Sequence, residues 1–205
     1  MKITVFGATG GTGREVVRQA LAAGDTVTAV VRDPAAGFPG RPAIVRADVM
    51  DPEAITPAVS GADVVVSALG HRPGRKDPVS APATGAIITA MRSAGVRRLI
   101  VVTAAGHVRD PHDGLVTRAV LKPLLGRLLR HAFADFTRTD RIVAGSGLDW
   151  TIMRPPRLTD GRSRPYRTEL DRTVGATIAR TDLARAILAA AADPATIGHV
   201  VGVGY

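Results

Sequence analysis

The sequence predicts a single α/β domain over residues 1–205, a doubly wound parallel sheet with helices on both faces. Three observations carry that prediction. Strand-like runs at 2–6, 26–31, 43–47, 62–67, 98–103 and 149–153 alternate with helical stretches. Several of these runs are apolar at successive positions, the pattern of strands covered on both faces rather than one. The first run passes directly into Gly7-Ala8-Thr9-Gly10-Gly11-Thr12-Gly13 and then into a helix.

The elements follow in order. A helix over 14–23 sets Val16, Val17, Ala20 and Leu21 on one face and ends at Gly24. Arg32-Asp33-Pro34 closes the second strand, and Pro39-Gly40-Arg41-Pro42 is a loop before the third. Asp51-Pro52-Glu53 reads as a helix start, with an N-cap, a proline at the first position and an acid in the first turn. The Pro- and Gly-rich stretch 71–82 is a loop. A helix over 83–94 stops at Gly95, and a loop covers 104–113. Residues 115–145 are helical with a break around Pro123 and Gly126. The basic segment 154–172 reads as irregular and laid over the sheet edge, so that about 154–175 forms a small cover for a substrate. A strand over 174–179, a helix over 181–192 capped by Thr181 and a strand over 199–203 complete the chain.

Composition narrows the function. The chain has 205 residues, 45% hydrophobic and 22% charged, as in a globular protein. There is no cysteine, which excludes disulfides, zinc–thiolate sites and thiol nucleophiles. His112, His131 and His199 have no metal-ligand spacing with acids, so no metal is expected. No apolar run reaches the roughly 18 residues of a membrane span, and the first residues lack the form of a secretory signal, so a cytoplasmic protein with no membrane partner is expected. The net charge is +9, and every basic residue except Lys2, Lys76 and Lys122 is arginine. Arginine's planar fork suits phosphate and carboxylate, which points to an anionic ligand, although coding bias also produces such a surplus. Seven aromatic residues are few for stacking bases, and no nucleic acid is expected.

The glycine turn is the most specific feature. Gly7 permits the tight turn, Gly10 admits a pyrophosphate close to the backbone, and Gly13 lets the helix pack on the strand. The first-turn N–H groups, with those of Thr9, Gly11 and Thr12 alongside, then hold the anion. This is a Rossmann-like dinucleotide site. Arg32 stands at the end of the second strand, where an acid suits NADH and an arginine the 2′-phosphate of NADPH, so NADPH is expected; pairing with Asp33 is the alternative. Asp48 either accepts from the adenine amino group or caps a local turn. Ala68, Leu69 and Gly70 let the chain pass close to the cofactor, and Thr103 lies at the nicotinamide end.

Gly7–Gly13, Val31-Arg32-Asp33, Asp48-Val49, Ser146-Gly147-Leu148, Arg154-Pro155-Pro156 and Thr181-Asp182-Leu183 together resemble the atypical short-chain dehydrogenase/reductases with NAD(P)H-binding, NmrA-like folds. Within that group they are most similar to the biliverdin-IXβ reductase/flavin reductase type. The resemblance runs over essentially the whole chain. It implies a Rossmann domain, NADPH along Gly7 to Gly13, Arg32 near the 2′-phosphate, Pro155 beside the cofactor and a flavin, quinone or tetrapyrrole as hydride acceptor. It also implies relatives that act as cofactor sensors without turnover. The chain departs from the pattern in three places. It has no Tyr-x-x-x-Lys pair, it has Thr103-Ala104 where Thr-Ser is usual, and it has Asp140 where that type carries a histidine.

From these readings an NADPH-dependent reductase is expected, with a non-catalytic NADP(H) sensor as the alternative. An isomerase or epimerase using a bound cofactor is compatible with the same fold. Thr103 and His107 are the catalytic candidates, His107 being otherwise an ordinary loop residue. Tyr166 and Arg157 are substrate candidates in a basic run that reads equally as a solvated loop. The expected partner is a small-molecule acceptor, with flavin a candidate substrate, and the expected state a monomer or small homo-oligomer.

Overall fold

The computed structural model describes residues 1–33, 37–38, 40–70, 78–107 and 130–205. Strands β1 (Lys2–Phe6), β2 (Thr26–Val31), β3 (Ala43–Arg46), β4 (Val64–Ser67), β5 (Arg98–Val102), β6 (Asp149–Arg154), β8 (Arg167–Leu170) and β10 (His199–Gly204) form one sheet in the order 3-2-1-4-5-6-10-8. Seven are parallel, and β8 runs antiparallel to β10 at the edge. The order reverses at β1, between β2 and β4, which opens a crevice beyond the carboxyl ends of those strands.

Alternation along β1 explains the two layers. Ile3 and Val5 face one side, where Val16 and Val17 of α1 (Gly11–Ala22) and Leu183 and Ile187 of α5 (Arg180–Ala192) cover them. Phe6 faces the other, under Ile55 of α2 (Pro52–Val59) and Ile87 of α3 (Ser80–Ser93). Helix α4 (Arg130–Ala144) adds Val143 to that layer. In β4 all four residues are buried, as a strand covered on both faces requires. Asp51 caps α2, its carboxylate accepting from the N–H groups of Glu53 (3.0 Å) and Ala54 (3.3 Å).

The carboxyl-terminal third differs from the sequence reading. Residues 154–172, read as irregular, contain β7 (Arg157–Thr159) and the edge strand β8. The strand expected over 174–179 shortens to β9 (Thr177–Ala179) and pairs with β7 in a separate two-stranded sheet. Thr181 does not cap α5. The helix begins one residue earlier with Ala179 at the N-cap, so Thr181 sits in the first turn and donates to Glu15 Oε2 at 3.2 Å. Helices α1 and α3 likewise start earlier than expected, at Gly11 and Ser80. Ala105–His107 form a 3₁₀ turn within the expected loop. The described part of the long helix is α4; the break around Pro123 and Gly126, and His112, lie outside the described residues.

Candidate cofactor-binding site

Gly7 has φ +73°, and a Cβ there would stand 2.6 Å from the Ala68 carbonyl oxygen. The ends of β1 and β4 therefore touch at the reversal point, and only glycine allows it. A Cβ on Gly13 would stand 2.2 Å from the Gly7 oxygen, so α1 lies directly on the end of β1. Gly10 is the N-cap of α1, with no side-chain cap and no acid in the first turn. The first-turn N–H groups have no acceptor within their own helix and sit at the positive end of the helix dipole.

A cleft of about 1020 Å³ opens there. The glycine turn lines it with Gly7, Thr9, Gly10, Gly11 and Thr12. Arg32 and Arg46, at the ends of β2 and β3, line a second side together with Asp48 and Met50. Ala68, Leu69 and Gly70 after β4 form a third, with Val79 ahead of α3, and Leu158 and Arg180 approach from the carboxyl-terminal segment. The two arginines stand close together, Arg32 just after β2 and Arg46 ending β3, with Val31 pairing with Arg46 in the register. The Asp48 carboxylate accepts from the Met50 N–H at 3.0 Å, the turn-capping contact, while the residue still lines the cleft.

The wall beside Leu69 is held from a distance. Val79 is the N-cap of α3 and offers no capping side chain. Asp135 of α4 supplies the cap: its carboxylate accepts from the N–H groups of Val79 (3.0 Å), Ser80 (2.8 Å) and Ala81 (2.9 Å). Ser80 Oγ then donates to the Leu69 carbonyl at 3.2 Å.

Thr103, Pro155, Tyr166 and Arg157 do not line this cleft. Thr103 is buried beyond β5, its N–H donating to the Met153 carbonyl at 2.9 Å, and its hydroxyl has no hydrogen-bond partner among the described residues. The Pro155 carbonyl accepts from the Ala105 N–H at 2.8 Å, tying the loops after β5 and β6 together. Tyr166 packs on the α1/α5 core, with the Arg185 guanidinium 5.1 Å from its ring centre. Arg157 is exposed on β7. Asp140 accepts from Arg154 Nη2 at 2.7 Å. The His107 side chain lies outside the described residues. Among the described residues, no three His, Asp or Glu side chains gather as metal ligands, and no helix is long and apolar enough to cross a membrane.

Sequence alone does not single out Arg46, Arg180 or Asp135. Arg46 carries a signal, a basic residue ending the third strand two positions before Asp48. The other two carry none, because folding brings Arg180 to the cleft and Asp135 to the start of α3 from far along the chain.

The glycine cradle, the uncapped helix start and the arginines fit an anionic dinucleotide. A family model described as NAD(P)H-binding matches residues 7–194. The chain belongs to this NAD(P)H-binding family. That agrees with the resemblance to atypical short-chain dehydrogenase/reductases carried by the sequence motifs. A 3-diazoavenalumate denitrifying reductase of a Streptomyces species is 39% identical over 117 residues, 51% of this chain and 38% of that protein. An uncharacterised protein of Mycobacterium bovis is 35% identical over 107 residues, 52% of this chain and 12% of that protein. The chain thus spans less than half the length of either relative. Among solved structures, a putative exported protein from Burkholderia pseudomallei is 27% identical, with TM-score 0.83 and full coverage of both chains. ChuY, an anaerobilin reductase from Escherichia coli O157:H7, shares the fold at 24% identity and TM-score 0.80, covering 99% of this chain and 96% of its own.

Proposed function

We propose that the protein is an NADPH-dependent reductase that delivers hydride to a conjugated acceptor such as a flavin, a quinone or a tetrapyrrole-like molecule. The observation that carries this reading is the pair of guanidinium groups, Arg32 and Arg46, on the cleft wall where a bare ribose hydroxyl would call for a carboxylate. Two planar forks suit a 2′-phosphate. Bound there, NADPH would supply the hydride; the protein binds and orients. The N–H groups of Gly11 and Thr12 would hold the diphosphate, Gly7 and Ala68 bring backbone against it, and Asp135 steadies the wall at Leu69.

The acceptor class follows from what the chain lacks. Ketone reduction needs a proton donor at the reacting oxygen, and the sequence has no Tyr-x-x-x-Lys pair. Asp140 is engaged with Arg154. A ring system that delocalises the incoming electron pair depends less on such a donor. The Thr103 hydroxyl, without a hydrogen-bond partner among the described residues, follows β5 and is a candidate to hydrogen-bond an acceptor.

Loss of reduced-nicotinamide absorbance with flavins and quinones tests the reading. NADPH is expected to be consumed faster than NADH, and Arg32→Ala to lower the NADPH/NADH preference about tenfold, the effect of roughly 1.4 kcal/mol. An unchanged preference in that variant would defeat the cofactor assignment. Tight NADP+ binding without turnover on any acceptor would make the protein a sensor instead.

A further inference from the structure

At Gly11 the space a side chain would fill is taken by another side chain rather than by backbone. A Cβ on Gly11 would stand 2.6 Å from Arg180 Cδ and 2.8 Å from Arg180 Nε. The Arg180 side chain therefore lies over the first residue of α1 and lines the cleft. Its guanidinium Nη1 donates to Asp160 Oδ1 at 2.5 Å. The two ends of that pair differ: Arg180 side-chain exposure is 31%, that of Asp160 85%. An ion pair with so exposed a partner is weak and easily exchanged.

We propose that Arg180 is a further diphosphate-binding residue, which exchanges Asp160 for the cofactor's diphosphate and so couples the carboxyl-terminal segment to cofactor occupancy. The proposal rests on the dinucleotide reading above. The placement supports it independently of the glycine motif. Arg180 is the first residue of α5 and directly follows β9, the strand paired with β7 that carries Leu158 into the cleft. A guanidinium beside an uncapped helix start adds a mobile cation to fixed N–H donors, and its fork matches a phosphate where one carboxylate oxygen now sits. Asp160 acts as a placeholder, keeping the arginine extended across Gly11 in the absence of an anion.

Calorimetric titration of the full chain with NADP+ and, separately, with 2′-AMP tests this. The second ligand carries the 2′-phosphate and lacks the diphosphate. Arg180→Ala is expected to weaken NADP+ about tenfold and leave 2′-AMP within twofold of wild type; Arg180→Lys should recover part of the loss. Asp160→Asn, which removes the competitor, is expected to bind NADP+ as tightly as wild type or up to about threefold more tightly. Wild-type NADP+ affinity in Arg180→Ala, or equal loss of both ligands in a folded Arg180→Ala, would overturn the proposal and leave the dinucleotide reading standing. A weakened Asp160→Asn would overturn the exchange. Failure of the wild-type protein to bind either ligand would overturn the dinucleotide reading itself.

Discussion

At Gly13 the available space is set by backbone, which cannot swing aside. A methyl group there would meet the Gly7 carbonyl oxygen at 2.2 Å and Ala8 Cα at 2.9 Å. Gly13→Ala must push the start of α1 off the end of β1, and such overpacking costs about 1–3 kcal/mol or more. Thermal melts should show that loss, and NADP+ affinity should fall with it, since the same shift moves the N–H donors. Gly85 is the contrast. It sits inside α3, where an added methyl would have nothing within 4 Å and φ is ordinary. Gly85→Ala should raise stability by about 0.5–1 kcal/mol through reduced backbone freedom in the unfolded chain. Of the two glycines, sequence marks Gly13 through its spacing from Gly7 and Gly10. The turn is legible because its geometry is local, and so is Arg32 at the end of its strand. Arg180 is not, because packing brings it to Gly11 across most of the length of the chain.

Among elements, α2 and α3 present the same physical problem with opposite solutions. Each begins with N–H groups that lack intrahelical acceptors. Helix α2 meets the need with its own Asp51, and sequence shows it. Helix α3 borrows Asp135 from α4, 54 to 56 residues away, and sequence is silent. Asp135 is 4% exposed, so losing it strands three N–H groups where water reaches poorly. Hydrogen bonds to a charged acceptor contribute about 1.5–3 kcal/mol each, partly shared here, and Asp135→Ala should cost about 3 kcal/mol in denaturant unfolding. Because Ser80 also holds the Leu69 carbonyl, NADP+ affinity should drop in the same variant. Unchanged unfolding in Asp135→Ala would show that the cap contributes little. The shifted start of α5 has a related cause. Thr181 resembles a cap by residue type, yet its hydroxyl is drawn to Glu15 on α1, whose Arg18 hydrogen bond also holds the carboxyl below its ordinary range.

For the whole molecule, the carboxyl-terminal third converges on one buried carboxylate. Asp182 is fully buried and accepts from Ser163 Oγ (2.6 Å), the Arg164 N–H (3.0 Å), the Tyr205 hydroxyl (2.5 Å) and Arg185 Nη2 (2.6 Å). The Tyr205 oxygen also accepts from the Ala179 N–H at 3.0 Å, and the Arg164 guanidinium lies 3.7 Å from the Tyr205 ring centre. The alternating strands and helices of roughly the first half of the chain are readable by periodicity. This convergence is not, since it joins a loop, a helix start and the last residue. Burial by itself would raise the Asp182 carboxyl, but the Ser163, Tyr205 and Arg164 hydrogen bonds and the Arg185 charge bring it below the ordinary carboxylate range. The unfolded chain then takes up a proton at higher pH than the folded one, so stability rises with pH through this window. The contribution is complete above about pH 4, the ordinary aspartate value, and is lost as pH falls through the lowered folded value. Asp182→Asn should cost about 2–3 kcal/mol at neutral pH, where it leaves donors short of an anionic acceptor. Asp149, Asp171 and Glu15 are lowered as well, so the acid limb of the wild-type curve belongs to several groups. The difference between wild type and Asp182→Asn isolates one of them: Tm curves measured from pH 7 downward should converge below about pH 4. Parallel curves throughout that range would show that the Asp182 carboxylate charge plays no part in holding the carboxyl-terminal segment to the sheet.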